Sequence, residues 1–264
     1  MTDLTIALFA IGLVLPGPAI ADAVADEHDE AQAAMATGDL DAAAEHETKA
    51  LALARKLREI NDPEIGVLAI NVGTLQLGRK DHKRARAAFE IAVSNAEAVH
   101  GKGSIEVAVP LLAQAKAESA AGDHGAARAT QGRRIALVEA ATGAISVESA
   151  FAHRDAAAER VAAKKFTSAR KLLKRSIDIL DQAEGDHQDE IAASYVGLAI
   201  ASMQMRDRAG MQRNMKKGID LLENTYEPGS PELIAFYEAM IRQLPPQASK
   251  RMTSRLEKHK RAAK

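Results

Sequence analysis

The sequence has 264 residues, enough for one large domain, two ordinary domains or an array of repeats. Hydrophobic residues make up 47% and charged residues 27%, a balance typical of folded proteins rather than disordered ones. The chain contains no Cys, which excludes disulfides, cysteine zinc sites, iron–sulfur clusters and thiol catalysis. Its net charge of −1 argues against a globally basic nucleic-acid-binding protein.

The chain starts with an apolar segment that runs from Leu4 to Leu15. Such a segment is too short to span a bilayer, but it has the length of a signal-peptide core. A Pro-Gly-Pro break follows, and Ala19-Ile20-Ala21 has the small-x-small pattern of a cleavage site. We therefore expect residues 1–21 to be a signal peptide and the protein to be exported, with the bacterial periplasm as the expected location. An uncleaved anchor and a buried first helix are the alternatives.

Beyond this segment, the sequence repeats with a period of 42 residues. A glutamate recurs in one register, each time two residues after a position that suits a helix N-cap. An N-cap side chain accepts a backbone N–H, and an acid in the first turn faces the positive end of the helix dipole. The pattern therefore predicts the starts of five helices rather than a ladder of catalytic carboxylates. The glutamates are Glu64, Glu106, Glu148, Glu190 and Glu232, and the N-cap positions hold Asp62, Ser104, Ser146, Gln188 and Ser230.

A second landmark, made of turn-type residues, lies in the middle of each period. The segments on either side of it have helical apolar spacing, and strand patterns are absent. Each period is therefore predicted to contain two antiparallel helices, which bury their apolar faces only when they stack on neighbouring pairs. The turn residues are Gly38-Asp39, Lys80-Asp81, Gly122-Asp123, Lys164-Lys165 and Arg206-Asp207.

The columns of small and large residues in these repeats resemble the tetratricopeptide repeat. The first small position of that motif corresponds to Ala31, Gly73, Ala115, Ala157 and Ala199, and the second to Ala43, Ala85, Ala127, Ala169 and Met211. The large position after the second small one corresponds to Glu47, Phe89, Gln131, Leu173 and Met215. The 42-residue period resembles the kinesin light chain type, because Asp62-Pro63-Glu64-Ile65 and Ser230-Pro231-Glu232-Leu233 match its helix-opening turn.

The predicted fold is therefore all-α: a right-handed α-solenoid of about five and a half antiparallel helix-turn-helix repeats over residues 22–243. We place the repeats at 22–61, 62–103, 104–145, 146–187 and 188–229, with a half repeat at 230–243. Residues 244–264 are predicted to form a basic C-terminal tail or a capping helix, because seven cationic residues and one acid follow residue 249.

The resemblance implies a concave groove lined by the first helix of each repeat, which binds a peptide or a segment of a partner protein. Its asparagine column, which holds a peptide backbone in the family, reads Asn71, Ala113, Asp155 and Gly197 here. We expect Lys116 and Arg154 to hold one acidic group, with Phe151 as an apolar anchor beside it. The alternative is that these side chains fill the groove themselves. The predicted partner-binding residues are Val67, Ile70, Asn71, Thr74, Leu112, Lys116, Phe151, Arg154, Val196 and Ile200.

The resulting functional prediction is a non-catalytic scaffold or adaptor with a protein or peptide partner of acidic–hydrophobic character. No zinc motif, phosphate-loop spacing or nucleophile elbow is present, so we expect no enzyme activity, metal, cofactor or nucleic-acid partner. One alternative is a structural subunit that self-associates. Another is a peripheral adaptor whose residues 250–264 contact an anionic membrane.

Overall fold

The computed structural model describes residues 21–243 and 246–263, and the regular elements in those ranges are all helical. The predicted all-α class, built from consecutive antiparallel helix pairs, is therefore confirmed. The predicted signal peptide lies outside the described residues, apart from Ala21, which begins the first helix. The chain divides after Ala141 into two compact units.

The first unit contains three successive helix pairs. The pairs are α1 (Ala21–Thr37) with α2 (Leu40–Leu57), α3 (Pro63–Gly78) with α4 (His82–His100), and α5 (Ala108–Ala120) with α6 (His124–Thr142), whose last residue passes the boundary. Helices that follow each other in the chain pack together, as in α1 with α2 and α3 with α4, and α3 also packs directly on α5. A short 3-10 turn, Ile105–Val107, precedes α5.

The second unit also contains three pairs. They are α7 (Val147–Ala162) with α8 (Phe166–Leu180), α9 (Gln188–Gln204) with α10 (Arg208–Thr225), and α11 (Pro231–Gln243) with α12 (Pro246–Ala262). The segment for which a basic tail or a capping helix was predicted contains α12, which packs against α11 of the predicted half repeat.

Three of the five predicted N-caps at the starts of the first helices are confirmed. Asp62 accepts the backbone N–H of Glu64 at 3.0 Å, Ser146 accepts that of Ser149 at 3.0 Å, and Ser230 accepts that of Leu233 at 3.3 Å. These side-chain oxygens satisfy backbone donors that have no partner within the helix.

The predictions for Ser104 and Gln188 were wrong. The Ser104 hydroxyl bonds to the Glu106 carboxylate instead of capping, and the 3-10 turn delays the start of α5 to Ala108. In the fifth repeat His187 takes the N-cap position, and Gln188 is already the first residue of α9.

The mid-repeat turn has the same backbone conformation in all five repeats. The residue before the N-cap of the second helix has a positive φ in each case, a region that glycine enters at low cost and other residues do not. In four repeats the next residue is an Asp whose carboxylate caps the second helix, whereas Lys165 makes no side-chain cap. The positive-φ residues are Gly38, Lys80, Gly122, Lys164 and Arg206, and the capping residues are Asp39, Asp81, Asp123 and Asp207.

Small residues at the tetratricopeptide positions let the two helices of a pair approach closely. Ala43, Ala85 and Ala169 are fully buried. At Gly73 in α3, an added Cβ would lie 2.5 Å from the ring of Phe89 in α4. The close approach of α3 to α4 therefore depends on the absence of a side chain at residue 73.

Candidate functional site

The adjacent first helices α3 and α5 carry predicted binding residues at equivalent repeat positions. Val109, which is not among the predicted binding residues, lies one period after the predicted residue Val67, and both are exposed apolar side chains, at 68% and 37%. Ile70 and Leu112 lie one helical turn further along the two helices, and both are half-buried. Thr74 and Lys116 lie two turns further along, and Lys116 is exposed. We call this surface the α3–α5 face; it consists of Val67, Ile70, Thr74, Val109, Leu112 and Lys116.

The α3–α5 face combines an apolar end with a cation. Positions i, i+3 and i+7 share one side of a helix, so the three residues of each helix present a continuous strip. Ile70 also packs against two of the buried clusters in this unit, which ties the strip to the core. The arrangement offers apolar contact at the valines and one positive charge at Lys116.

Asn71 is already engaged within the protein. Its amide donates a hydrogen bond to the Glu47 carboxylate at 2.7 Å, and its side chain is half-buried between α2 and α3. The second oxygen of Glu47 contacts Nδ1 of His28 in α1 at 2.8 Å. The role implied by the family resemblance, clamping a peptide backbone, is therefore in competition with an internal contact that joins α1, α2 and α3.

Glu47 itself is fully buried, at the repeat position where the second and fourth repeats hold Phe89 and Leu173. The hydrogen bond with Glu47 raises the pKa of His28 above its ordinary value of 6.5. A second pair, His46 with Glu27 at 2.8 Å, links the same two helices. Sequence reasoning did not predict this polar core. The residue that could have indicated it is Glu47, because it is an acid at a repeat position where large packing residues are expected.

In the second unit, two predicted binding residues contact each other. The Arg154 guanidinium lies 4.6 Å from the centroid of the Phe151 ring, a cation–π arrangement, and both side chains are half-buried. The partner predicted for Arg154 in anion binding, Lys116, belongs to the first unit. A shared role for Lys116 and Arg154 remains a prediction.

Val196 and Ile200 serve the core of the second unit. Val196 is only 6% exposed, and Ile200 packs against the same cluster, which includes Ile219 and Met240. The burial of Val196 supports the alternative that side chains predicted to line the groove fill the groove themselves. Val196 is buried, whereas Ile200 is half-buried, and a binding role for either residue stays a prediction.

The basic C-terminal segment is largely a packing helix. Met252 and Leu256 face the cluster that contains Tyr237, so the short apolar stripe of α12 is covered by α11. Arg255 pairs with Glu223 of α10 at 2.8 Å, and Lys260 pairs with Glu238 of α11 at 2.9 Å.

The Tyr237 hydroxyl donates to Glu223 at 2.6 Å. Burial is the main cause that raises the pKa of Tyr237, to about 12. At neutral pH the phenol therefore stays protonated and remains a hydrogen-bond donor between α11 and α10.

Within residues 21–243 and 246–263, no group of three or more His, Asp or Glu side chains is arranged to hold a metal ion. No helix in the same ranges combines the length and apolar character that crossing a membrane requires.

Solved structures with similar folds are helical-repeat proteins. A Podosopora anserina protein of kinesin light chain type, with nearly identical TPR-like repeats, matches 80% of this chain and 100% of its own at 15% identity and a TM-score of 0.65. BtubC (BKLC) from P. vanneervenii matches 80% and 95% at 14% identity, with a TM-score of 0.57. The MamA protein matches 78% and 97% at 17% identity, with a TM-score of 0.54.

At these identities the likeness establishes the fold, a tetratricopeptide-like helical repeat. No protein-family model matches the sequence, and a comparison with curated proteins finds no match either.

Proposed function

We propose that this chain is a non-catalytic scaffold that binds a protein or peptide segment on the α3–α5 face. The observation that carries the proposal is the pair of exposed valines, Val67 and Val109, at equivalent positions of two helices in direct contact. A repeat protein presents equivalent side chains side by side, so an elongated partner meets the same chemistry twice. The fold supports this proposal, because a tetratricopeptide-like array places the first helices of successive repeats side by side.

The chemistry of the face suggests an acidic–hydrophobic partner. Apolar side chains of the partner would cover the two valines, and a carboxylate would approach Lys116, two turns further along α5. Helices that pack side by side lie about 8–10 Å apart, so one peptide segment contacts both. In such an interface most of the affinity comes from a few apolar anchors, whereas an exposed charge contributes mainly to specificity.

A site-specific photocrosslinker provides the test. Placed at Val109, it should capture a defined partner in the native host. Placed at Leu40, which is exposed at 48% on α2, it should not. With the captured partner purified, Val67→Glu together with Val109→Glu should weaken binding by at least about tenfold, or about 1.4 kcal/mol. Leu40→Glu serves as the matched control, and equal binding by both variants would exclude the α3–α5 face.

Export through residues 1–21 is part of the same proposal. The apolar segment and the Ala19-Ile20-Ala21 pattern support it. Expression of the full chain in a bacterium, followed by N-terminal sequencing of the periplasmic fraction, tests it. A product that begins at Asp22 is expected, whereas a full-length product retained in the cytoplasm would contradict export.

The basic α12 helix is better explained as a cap on the last pair than as a membrane anchor. Two of its cations, Arg255 and Lys260, are paired with acids of α10 and α11, and its apolar residues are turned towards the core. Terminal repeats need a polar outer face to remain soluble, and the remaining charges of α12 provide one. Binding to the α3–α5 face should therefore be unchanged when the exposed Lys258 is replaced by Ala.

A further inference from the structure

A basic groove lies between the second helices α8 and α10. It crosses the surface of α9, whose Tyr195 and Leu198 form its floor, and it has a volume of about 440 Å³. We call it the α8–α10 groove. Its walls carry four cations and one acid, which are Arg170, Lys174 and Asp178 on α8 and Arg213 and Lys217 on α10.

Two of the four cations of this groove already contact other residues of the protein, and two form no ion pair among the described residues. Arg170 is 3.8 Å from Asp207, and Lys217 lies over the Tyr195 ring at 5.1 Å. Lys174 and Arg213 are exposed and make no ion pair with any residue that the structure describes. These two side chains stand on opposite walls, so they are the available positive charges of the groove.

The equivalent repeat positions three periods earlier show that the fold itself does not require these charges. Thr48 of α2 stands at the position of Lys174, and Ala87 and Ile91 of α4 stand at those of Arg213 and Lys217. Uncharged side chains are therefore compatible with this repeat geometry.

We propose that the α8–α10 groove binds an acidic segment of a partner protein, with carboxylates on Lys174 and Arg213. The site is separate from the α3–α5 face, so it adds a second binding surface to the scaffold. Charge complementarity carries the proposal: four cations against one acid leave the groove with a local charge of about +3, less the contribution of Asp207 at its edge.

The spacing of the cations fits a polypeptide. On each wall the cations are four residues apart, Arg170 with Lys174 and Arg213 with Lys217, which places side chains about 5–6 Å from each other along a helix. Acids at alternate positions of an extended peptide are about 6.6 Å apart. A Glu-x-Glu segment along α8 therefore places one carboxylate on Lys174 and the next near Arg170, whose present partner is Asp207.

The groove is less suited to single-stranded nucleic acid. Proteins that bind single strands combine cations with aromatic side chains on which bases stack. The aromatic side chain lining this groove is Tyr195, which is half-buried and already lies beneath Lys217. Base stacking on Tyr195 would require displacement of that lysine.

The test uses the full chain and a fluorescein-labelled hexaglutamate peptide, with binding followed by fluorescence anisotropy at low salt. The groove variant is Lys174→Glu with Arg213→Glu. Its control is Lys171→Glu with Lys216→Glu, which changes the net charge equally on the same two helices but outside the groove lining. Helical circular dichroism of both variants verifies that each is folded.

We expect the groove variant to lose at least about tenfold in affinity and the control to remain within about twofold of the parent chain. Added salt should weaken binding of the parent chain. An equal loss of peptide affinity in both variants would indicate general charge attraction and would overturn the proposal. Absence of peptide binding by the parent chain would overturn it as well. Tighter groove-dependent binding of a single-stranded DNA oligonucleotide or of anionic vesicles would also overturn it.

A concentration series by sedimentation decides between a partner protein and a second copy. The exposed acids Asp26, Asp29 and Glu30 of α1 are an acidic segment within this chain. If the mass rises with concentration in the parent chain but not in the groove variant, the groove is occupied by another copy, and the proposal of a separate partner fails. An unchanged mass supports it.

Discussion

Asn71 of α3 donates its side-chain amide to the fully buried carboxylate of Glu47 in α2, at 2.7 Å. The contact replaces, in the first repeat, the apolar packing that Phe89 and Leu173 provide in later repeats. His28 completes the arrangement from α1, so three helices meet at one carboxylate. A buried carboxylate is tolerated only when such partners satisfy it.

Replacement of Glu47 by Ala should therefore destabilise the first unit by about 1–3 kcal/mol, because the half-buried Asn71 amide loses its acceptor. Urea unfolding followed by circular dichroism measures the change. The control is Glu45→Ala, which removes an exposed carboxylate from the same helix. A change of the same size in both variants would show that the buried contact has no special role.

The stability of the first unit should depend on pH through His28. The hydrogen bond with Glu47 raises the folded-state pKa of His28 above 6.5, so the folded state holds the proton more tightly than the unfolded state. The stabilisation is fully present below pH 6.5 and is lost as the pH rises through the raised pKa. His28→Gln should flatten this dependence in thermal unfolding between about pH 5 and 8. The same slope in the variant would contradict the assignment.

Gly73→Ala should destabilise the pair α3–α4 by about 1–3 kcal/mol, because the new methyl group would overlap the Phe89 ring and force it to move. Gly132→Ala is the matched control. Gly132 lies inside α6 with no atom within 4 Å of an added Cβ, and Ala has the higher helix propensity. We expect that control to gain about 0.5–1 kcal/mol in denaturant unfolding. We expect the two substitutions to change the free energy of unfolding in opposite directions, and a change in the same direction would contradict the prediction.

The fourth repeat lacks the cap that the other mid-repeat turns possess. Lys165→Asp should supply it and stabilise the second unit by about 1 kcal/mol, since an aspartate there would accept a backbone N–H of the first turn of α8. Lys165→Ala removes the same positive charge without adding an acceptor. A thermal midpoint that rises equally in both variants would attribute the gain to charge rather than to capping.

Leu256→Ala tests whether α12 is an integral helix of the last pair. Leu256 is 7% exposed in a cluster with Tyr237 and Met240, so truncation should cost about 2–5 kcal/mol in the second unit. Amide hydrogen exchange should then show faster opening of both α11 and α12. The exposed Lys258→Ala serves as the control, with an expected effect within about 0.5 kcal/mol. Unaltered exchange in α11 after Leu256→Ala would mean that the two helices open independently.

Local features were the part of the fold that could be predicted best. The helix pairs and the caps at Asp62, Ser146 and Ser230 follow from hydrogen bonds and apolar contacts between residues close in the chain. The predicted cap at Ser104 was wrong for a local reason as well, because its hydroxyl bonds to Glu106 and a 3-10 turn precedes α5. At Gln188 the prediction was wrong by one residue, since His187 takes the N-cap position of α9.

The candidate sites could be predicted only in part. The period read from the sequence is sufficient to predict that Val67 and Val109 lie beside each other, because they occupy equivalent positions on neighbouring helices. The burial of Val196 could not be predicted in this way, because it depends on how the last pair closes over α9.

By itself the sequence determined an all-α array of tetratricopeptide-like helix pairs, because periodic spacing encodes helices and their stacking. Only the tertiary structure decided that Asn71 meets Glu47, that α12 folds back on α11, and that Lys174 and Arg213 face one groove. Each of these relationships joins residues distant in the chain. Their meeting depends on packing distances between helices, which no local pattern of residue types specifies.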